Sequence, residues 1–306
     1  MEYGIHLPTR SLDGGVPSLD YLTSFVAEAD RLGYTYLAIN DHFGSGRSLL
    51  DPTTALAAVA SASGRLRLVT SVMLIVLRGI VPSAKYLAAL DVLTGGRVIA
   101  GIGPGSQDEE YDIVGLNYKE RWPRFDEAAI ALRSLLDPEG APFKGSYYST
   151  EGITFEPRPI QQPSLPIWIG SWGSDAGLRR VARLADGWLG SALDSTPERF
   201  KQAKQRLDAF LEQQGKEPTS FPNAVSTMTL YISESQAELD RVPRGTVHPD
   251  EPDEAPHQRD MVGSSAECIE KLHRWKDSGA QALFLRPFDD GLNQMRLFVE
   301  QVASRD

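Results

Sequence analysis

Strand-like apolar runs alternate with helical periodicity along the whole chain, and no other feature narrows the possible folds as far. The strand candidates are Tyr3–Leu7, Tyr36–Ile39, Leu66–Ile75, Val98–Ile102, Ile167–Ile169, Gly187–Leu189, Ser226–Ile232 and Ala282–Leu285. Between and after them the spacing predicts helices over residues 19–32, 52–63, 82–94, 123–136, 174–185, 197–214, 265–278 and 291–303. In the first helix Leu19, Leu22, Val26, Ala29 and Leu32 recur at helical spacing, with Ser18 able to cap the start and Gly33 closing it. Pro52 falls early in the second, where its missing N–H costs little. Strands separated by helices run parallel, and eight such units predict an α/β chain closed into a (β/α)8 TIM barrel. The alternative is a doubly wound open sheet. It wants a glycine fingerprint directly after the first strand, and His6-Leu-Pro-Thr-Arg is not one.

Residues 105–123, 138–166 and 233–262 are too long to be simple connections. None has enough apolar residues for its own core, so residues 1–306 read as one barrel domain with three insertions. The second insertion carries a segment that reads as a small β-hairpin around 143–156. The third is acidic and proline-rich at 242–258 and is expected to be the most mobile part of the chain. With 41% hydrophobic and 24% charged residues the composition is that of a globular protein. A net charge of −10 without any basic run argues against nucleic acid and anionic membrane surfaces as partners. No apolar run is long enough to span a bilayer. The N-terminus enters a strand at once without a basic leader, so a cytoplasmic protein is expected. The single cysteine, Cys268, leaves no intramolecular disulfide or cysteine metal cluster, and no histidine pair has metal-ligand spacing, so no metal is expected.

In such barrels the chemistry gathers at the C-terminal ends of the strands. The first predicted strand ends in His6, the second in Asn40-Asp41-His42-Phe43 and the third in Ser71-Val72-Met73. The fourth ends in Gly101-Ile-Gly103-Pro-Gly105-Ser106 and the last in Arg286-Pro287. His42 is a candidate proton carrier, since imidazole titrates near neutrality; a structural histidine tied to Asp41 is the alternative. His6 is a candidate for the substrate pocket. Arg286, and Arg78 in Leu77-Arg-Gly79, are candidates for holding an anion through paired hydrogen bonds, ordinary ion pairs being the alternative. His248 and His257 fall in the acidic insertion, where solvated side chains are expected. The passage Pro166-Ile-Trp-Ile-Gly170-Ser-Trp-Gly173, followed by Leu178 to Trp188, reads as strand, glycine turn, helix and strand. A turn of this kind presents backbone N–H groups at a helix N-terminus, with hydroxyls on Ser171 and Ser174, and suits a phosphate; an ordinary strand-to-helix turn is the alternative.

Taken in order, these segments resemble the luciferase-like flavin-dependent oxidoreductases, the family of bacterial luciferase, alkanesulfonate monooxygenase and the deazaflavin-dependent dehydrogenases. The likeness lies in Glu28-Ala-Asp-Arg-Leu-Gly33 leading to Ile39-Asn-Asp-His-Phe43, and in Thr70-Ser-Val72 followed by Leu93-Thr-Gly-Gly-Arg-Val98. It continues through Gly145-Ser-Tyr-Tyr, Pro157-Arg-Pro159, Pro166 to Gly170 and Ala185-Asp-Gly-Trp188. The resemblance is strong over residues 1–200 and weaker beyond. It implies FMN or the deazaflavin coenzyme F420 across the barrel mouth, active in its reduced form. The phosphate end would lie at Gly170, Ser171, Trp172 and Gly173. The ring would lie near Asp41, His42, Ser71 and Val72, with Gly103 and Gly105 permitting close approach of the backbone. The resemblance also implies a cis peptide between Ser71 and Val72, a homodimer, and a separate flavin reductase as a partner of any FMN-dependent activity. Reduced FMN with oxygen would give a monooxygenase, and the deazaflavin a hydride-transfer enzyme, in either case on a small organic substrate. A flavin-binding barrel without catalysis, or a sugar-phosphate barrel without flavin, are the other classes compatible with the sequence. One departure bears on catalysis. Where sugar-phosphate dehydrogenases of the family carry a glutamate after the fourth-strand glycines, this chain has Ser106, with Asp108, Glu109 and Glu110 just beyond.

Overall fold

The structure is a computed structural model that describes residues 1–9, 15–44, 49–243 and 255–305. In chain order the strands are β1 (Glu2–His6), β2 (Tyr36–Ile39), β3 (Arg67–Thr70), β4 (Met73–Leu74), β5 (Val98–Gly103), β6 (Ile167–Gly170), β7 (Gly187–Ser191), β8 (Asn223–Ile232), β9 (Met261–Gly263) and β10 (Ala282–Pro287). The helices are α1 (Leu19–Arg31), α2 (Pro52–Val59), α3 (Ile75–Arg78), α4 (Ile80–Leu93), α5 (Asp108–Ile113), α6 (Arg121–Leu136), α7 (Asp175–Leu184), α8 (Pro197–Gln213), α9 (Gln236–Leu239), α10 (Ala255–Gln258), α11 (Ser265–Asp277) and α12 (Gly291–Leu297). All the strand pairings are parallel and run β10-β1-β2-β3-β5-β6-β7-β8, with β8 returning to β10. The sheet is therefore closed, and the chain folds as the (β/α)8 barrel that the alternation predicts. β4 prolongs β3 against β5, and β9 adds to the upper end of β8 beyond the reach of β7.

Strand alternation divides the core in two. Leu37, Leu68, Ile102, Ile169, Val225 and Leu285 face outward and pack under the helices. Tyr36, Ala38, Val69, Ile99, Trp168, Leu189, Ala224, Ala282 and Phe284 fill the barrel interior. Large rings here need small neighbours. Tyr36 and Phe284 meet at 5.1 Å between ring centres, and a Cβ on Gly4 would stand 2.5 Å from the Phe284 ring.

Several boundaries differ from the sequence reading. The predicted strand Leu66–Ile75 ends at Thr70, resumes for two residues at β4, and becomes helix at Ile75. There the Leu74 N–H is taken by the Asp41 carboxylate at 3.0 Å. The Ser71–Val72 peptide is cis. The hairpin expected around 143–156 reduces to a turn with one antiparallel bridge, Lys144 to Ser149. Its tip is held by the Glu127 carboxylate, which accepts from the amides of Ser146, Tyr147 and Tyr148, so side-chain capping replaces a strand ladder. The first insertion contains α5, and the third contributes β9, three residues whose pattern is too short to read as a strand. Most of the acidic stretch 242–258, including His248, lies outside the described residues; His257 is exposed on α10. Among the described residues no helix is long and apolar enough to cross a membrane, and no cluster of three or more His, Cys, Asp or Glu could hold a metal ion.

Candidate active site

Continuing the alternation upward from the interior core gives the side chains that face the mouth. On five adjacent strands they are small: Ser71 after β3, Gly103 on β5, Gly170 on β6, Ser191 on β7 and Ser226 on β8. On the other three they are large and polar: Arg286 on β10, His6 on β1 and Asn40 after β2. The floor of the mouth is thus a shelf of small residues beside a polar half. One apolar side chain lies on the shelf. A Cβ on Gly103 would stand 2.6 Å from Val72 Cγ2, and one on Gly170 would stand 3.0 Å from Val72 Cγ1. The first service of these two glycines is therefore to seat half-buried Val72. Gly105, with φ of +89°, needs the left-handed conformation itself.

The two halves meet across the barrel. The Ser71 and Ser226 hydroxyls are 2.6 Å apart, and His6 Nε2 lies 3.1 Å from Ser226 Oγ. Burial, aided by the nearby Arg286 cation and opposed by the Asn40 amide, lowers the His6 pKa to about 3, so the ring is neutral. Arg286 itself is exposed at the end of β10.

The loop Asn40–Gly44 is clamped by two carboxylates, neither in the arrangement weighed from sequence. His42 is not tied to Asp41. Asp41 is buried and pairs with Arg78, Oδ2 to Nε at 2.6 Å and Oδ1 to Nη2 at 2.8 Å. Arg78 reaches on to Asp51 at 2.6 Å, and the Phe43 ring covers its guanidinium at 4.8 Å. The ion pair weighed as the alternative for Arg78 is present: this guanidinium joins α3 to the second-strand loop and to Asp51 at the start of α2. Burial works against its charge, but the two aspartates outweigh that and hold its pKa above the ordinary range.

His42 pairs instead with Glu110 on α5. Its Nδ1 lies 3.2 Å from Glu110 Oε1, an oxygen that also accepts from Phe43 N at 2.7 Å and Gly44 N at 3.4 Å. Glu110 is fully buried and acceptor-only when ionised, so on a neutral imidazole the N–H sits on Nδ1 and Nε2 carries the lone pair. The sequence placed three acids beyond Ser106 but had no signal for which one turns inward. Burial selects Glu110. Ser226 and Thr227 were also missed, having been read only as the start of a strand.

At the turn after β6, Ser171 is buried and its Oγ accepts from Gly173 N at 3.3 Å, while its carbonyl accepts from Trp188 Nε1 at 3.0 Å. Gly173 has φ of +88°, and Ser174 caps α7 by accepting from Gly177 N at 3.2 Å. Arg206 donates to the Gly173 carbonyl at 2.8 Å and pairs with Asp175 at 3.0 Å. The Trp172 side chain is 63% exposed, so it does not fill the barrel rim.

A barrel with this mouth admits many chemistries, and comparison with known sequences decides among families. The luciferase-like monooxygenase family profile matches residues 1–282. This chain belongs to that family. Within it, the chain is 28% identical over 211 residues to an F420-dependent hydroxymycolic acid dehydrogenase of Mycobacterium tuberculosis, covering 66% of this chain and 56% of the relative. It is 28% identical over 208 residues to the 5,10-methylenetetrahydromethanopterin reductase of Archaeoglobus fulgidus, covering 67% and 59%. An uncharacterised Mycobacterium bovis protein is 30% identical over 177 residues, 58% of this chain and 59% of that one. The chain thus spans less than two thirds of the length of these curated relatives. Among solved structures, a Streptomyces bottropensis monooxygenase superposes with a TM-score of 0.83 at 22% identity, covering 100% of this chain and 99% of that one. An F420-dependent secondary alcohol dehydrogenase also scores 0.83, at 15% identity and the same coverage. The luciferase-like fold is therefore shared over the whole length, in a family of oxidoreductases with F420-dependent members and an FMN-bound structural neighbour.

Proposed function

We propose that this chain is an oxidoreductase that exchanges hydride between a deazaflavin of the F420 type and a small alcohol or ketone. The observation that carries the reading is the His42–Glu110 pair at the mouth, a histidine whose Nε2 has no partner among the described residues and a buried carboxylate behind it. The residues present fit the cofactor. A glycine turn in the left-handed conformation leads into a serine-capped helix N-terminus, a donor set suited to phosphate, and Ser171, Gly173 and Ser174 would hold that end. The shelf of small residues suits a flat ring, with Val72 as its support and Ser71 at its edge. When bound, the deazaflavin supplies a two-electron carrier, taking a hydride from the carbinol carbon or returning it to a carbonyl.

The chain's own residues manage the proton and the geometry. His42 Nε2 takes the hydroxyl proton of the alcohol, and returns it in the reverse direction. The imidazolium then faces the Glu110 carboxylate, which fixes the ring through Nδ1 and balances the charge without contacting substrate; Glu110 is a positioning residue. Asp41 and Arg78 hold the loop that carries His42.

F420 is placed ahead of FMN because a named relative is an F420-dependent hydroxymycolic acid dehydrogenase and a whole-length structural neighbour an F420-dependent secondary alcohol dehydrogenase. The test is hydride transfer from a panel of deuterated secondary alcohols to oxidised F420, followed by loss of its absorption. Deuterium in the reduced cofactor, with the rate lost in His42→Gln, is the expected result. Turnover only with reduced FMN and oxygen would assign the mouth to monooxygenation instead.

A further inference from the structure

Two histidines stand at the mouth, and their rings are wired in opposite senses. His42 has Nδ1 closed by a carboxylate and Nε2 open among the described residues. His6 has Nε2 closed. Thr227 N lies 3.2 Å from it, and a backbone amide can only donate, so Nε2 is an acceptor. The Ser226 hydroxyl at 3.1 Å shares the same nitrogen. On a neutral ring the proton is then on Nδ1. That atom is buried and makes no hydrogen bond among the described residues. The Asn40 amide lies beside the ring and favours its charged form without closing a hydrogen bond to Nδ1.

The backbone goes out of its way to create this arrangement. Between the pairs Leu283–Val225 and Leu285–Met228, strand β8 has one more residue than β10, which is a bulge. Thr227 sits in it with φ of +64°, a conformation costly for a β-branched residue. The bulge interrupts the β8–β10 register where Thr227 gives its N–H to His6. A strained residue that fixes a tautomer is a device, and a buried N–H without a hydrogen-bond partner among the described residues points to a ligand.

We propose that His6 is a neutral hydrogen-bond donor of fixed tautomer, whose Nδ1–H is kept for an oxygen atom of the organic substrate. The proposal rests on the oxidoreductase reading of the same mouth. It adds to that reading the atom that holds the substrate's carbonyl or hydroxyl oxygen, His6 Nδ1 on the polar half of the floor. A cationic amine does not fit, because it has no lone pair to accept from an N–H donor. The two histidines then divide the work, His42 as base and His6 as a donor that does not itself transfer a proton.

The test is nitrogen NMR on the full chain with labelled histidine, the His6 signals being assigned by their loss in His6→Phe or His6→Asn. Without cofactor, a bare Nε2 and a protonated Nδ1 between about pH 5 and 8 are expected, unchanged in Ser226→Ala because the amide alone suffices. An Nε2-protonated ring, or an imidazolium in that range, overturns the proposal. With F420 or FMN loaded, small ketones and secondary alcohols are then compared with hydrocarbons of the same size. A ketone or alcohol should move the Nδ1–H signal while no hydrocarbon does, and His6→Phe should weaken its binding about tenfold. His6→Asn, which keeps an N–H near the Nδ1 position, should weaken it less. If no oxygen-bearing probe moves the signal, or hydrocarbons move it equally, the donor role fails. The tautomer is read on the chain alone, so a failure of cofactor binding and a failure of this proposal give different results.

Discussion

Replacing Glu110 by glutamine leaves the shape behind His42 almost unchanged and removes only the charge and two lone-pair sites, which makes it a sharp probe. The amide oxygen can still accept from Phe43 N, now at 2.7 Å from Oε1. The amide NH2 must then occupy the place of Oε2, an atom that is buried without a partner. Weakening a charge-assisted acceptor costs about 1 kcal/mol, and burying an unpaired N–H about 1–3 kcal/mol, for a total of roughly 2–4 kcal/mol. At ~2.1 cal/mol/K of unfolding entropy per residue, a chain of 306 residues shifts by about 1.6 °C per kcal/mol, so calorimetry should show a Tm lower by about 3–6 °C. General acid–base catalysis is worth about 10²–10⁴-fold, and losing the group that orients the base should cost about 10- to 100-fold in kcat with KM little changed. In a His42→Gln background the same change should cost almost nothing further, because its effect passes through the imidazole. Initial rates of F420 reduction by the alcohol panel give both numbers. Full activity at a lowered Tm, or losses that simply add to those of His42→Gln, would refute the reasoning and leave Glu110 a loop clamp only.

Gly173→Asp adds a negative charge to the turn proposed to hold the phosphate and should weaken F420 or FMN binding at least tenfold, about 1.4 kcal/mol. Gly173→Ala shares the cost of φ at +88° without the charge and should retain most of the affinity; calorimetric titration separates the two. Arg78→Met leaves the Asp41 carboxylate buried without its cation, with only the Leu74 N–H still on it, and should lower stability by about 3–5 kcal/mol in urea unfolding, whereas Arg78→Lys should lose less. Acid should destabilise the fold through His6. The folded ring resists protonation down to about pH 3 while the unfolded one takes a proton near 6.5, so the unfolded chain binds more protons in between and stability falls as pH drops. Between pH 6.5 and 5 this amounts to at most about 2 kcal/mol, at ~1.36 kcal/mol per pH unit, and His6→Phe should flatten the slope by that amount.

The barrel was legible because its strands are buried on both faces and read as short apolar runs, and because caps such as Ser18 and Gly33 mark where helices begin and end. The run from Leu66 to Ile75 shows where such reading stops. Nothing in a string of apolar residues announces that Leu74 will give its N–H to a carboxylate 33 positions away. The site was legible by position and illegible by partnership. His6, Asp41, His42 and Ser71 all end strands, so the pattern found them. That His42 would meet Glu110 and Asp41 would meet Arg78 depends on how α5 and α3 pack on the rim, a tertiary fact without a local signal. Thr227 is the extreme case. A threonine in a strand is ordinary, and only the register of β8 against β10 reveals its left-handed conformation.

The central claim is that the mouth binds a deazaflavin for hydride exchange, and anaerobic titration of the chain with F420 and with FMN, read by visible absorption, tests it most directly. The account predicts saturable perturbation of the F420 spectrum, weakened in Gly173→Asp and bleached on adding a secondary alcohol to the wild-type complex. Absence of binding by either cofactor, or binding without any bleaching across the alcohol panel, would contradict it.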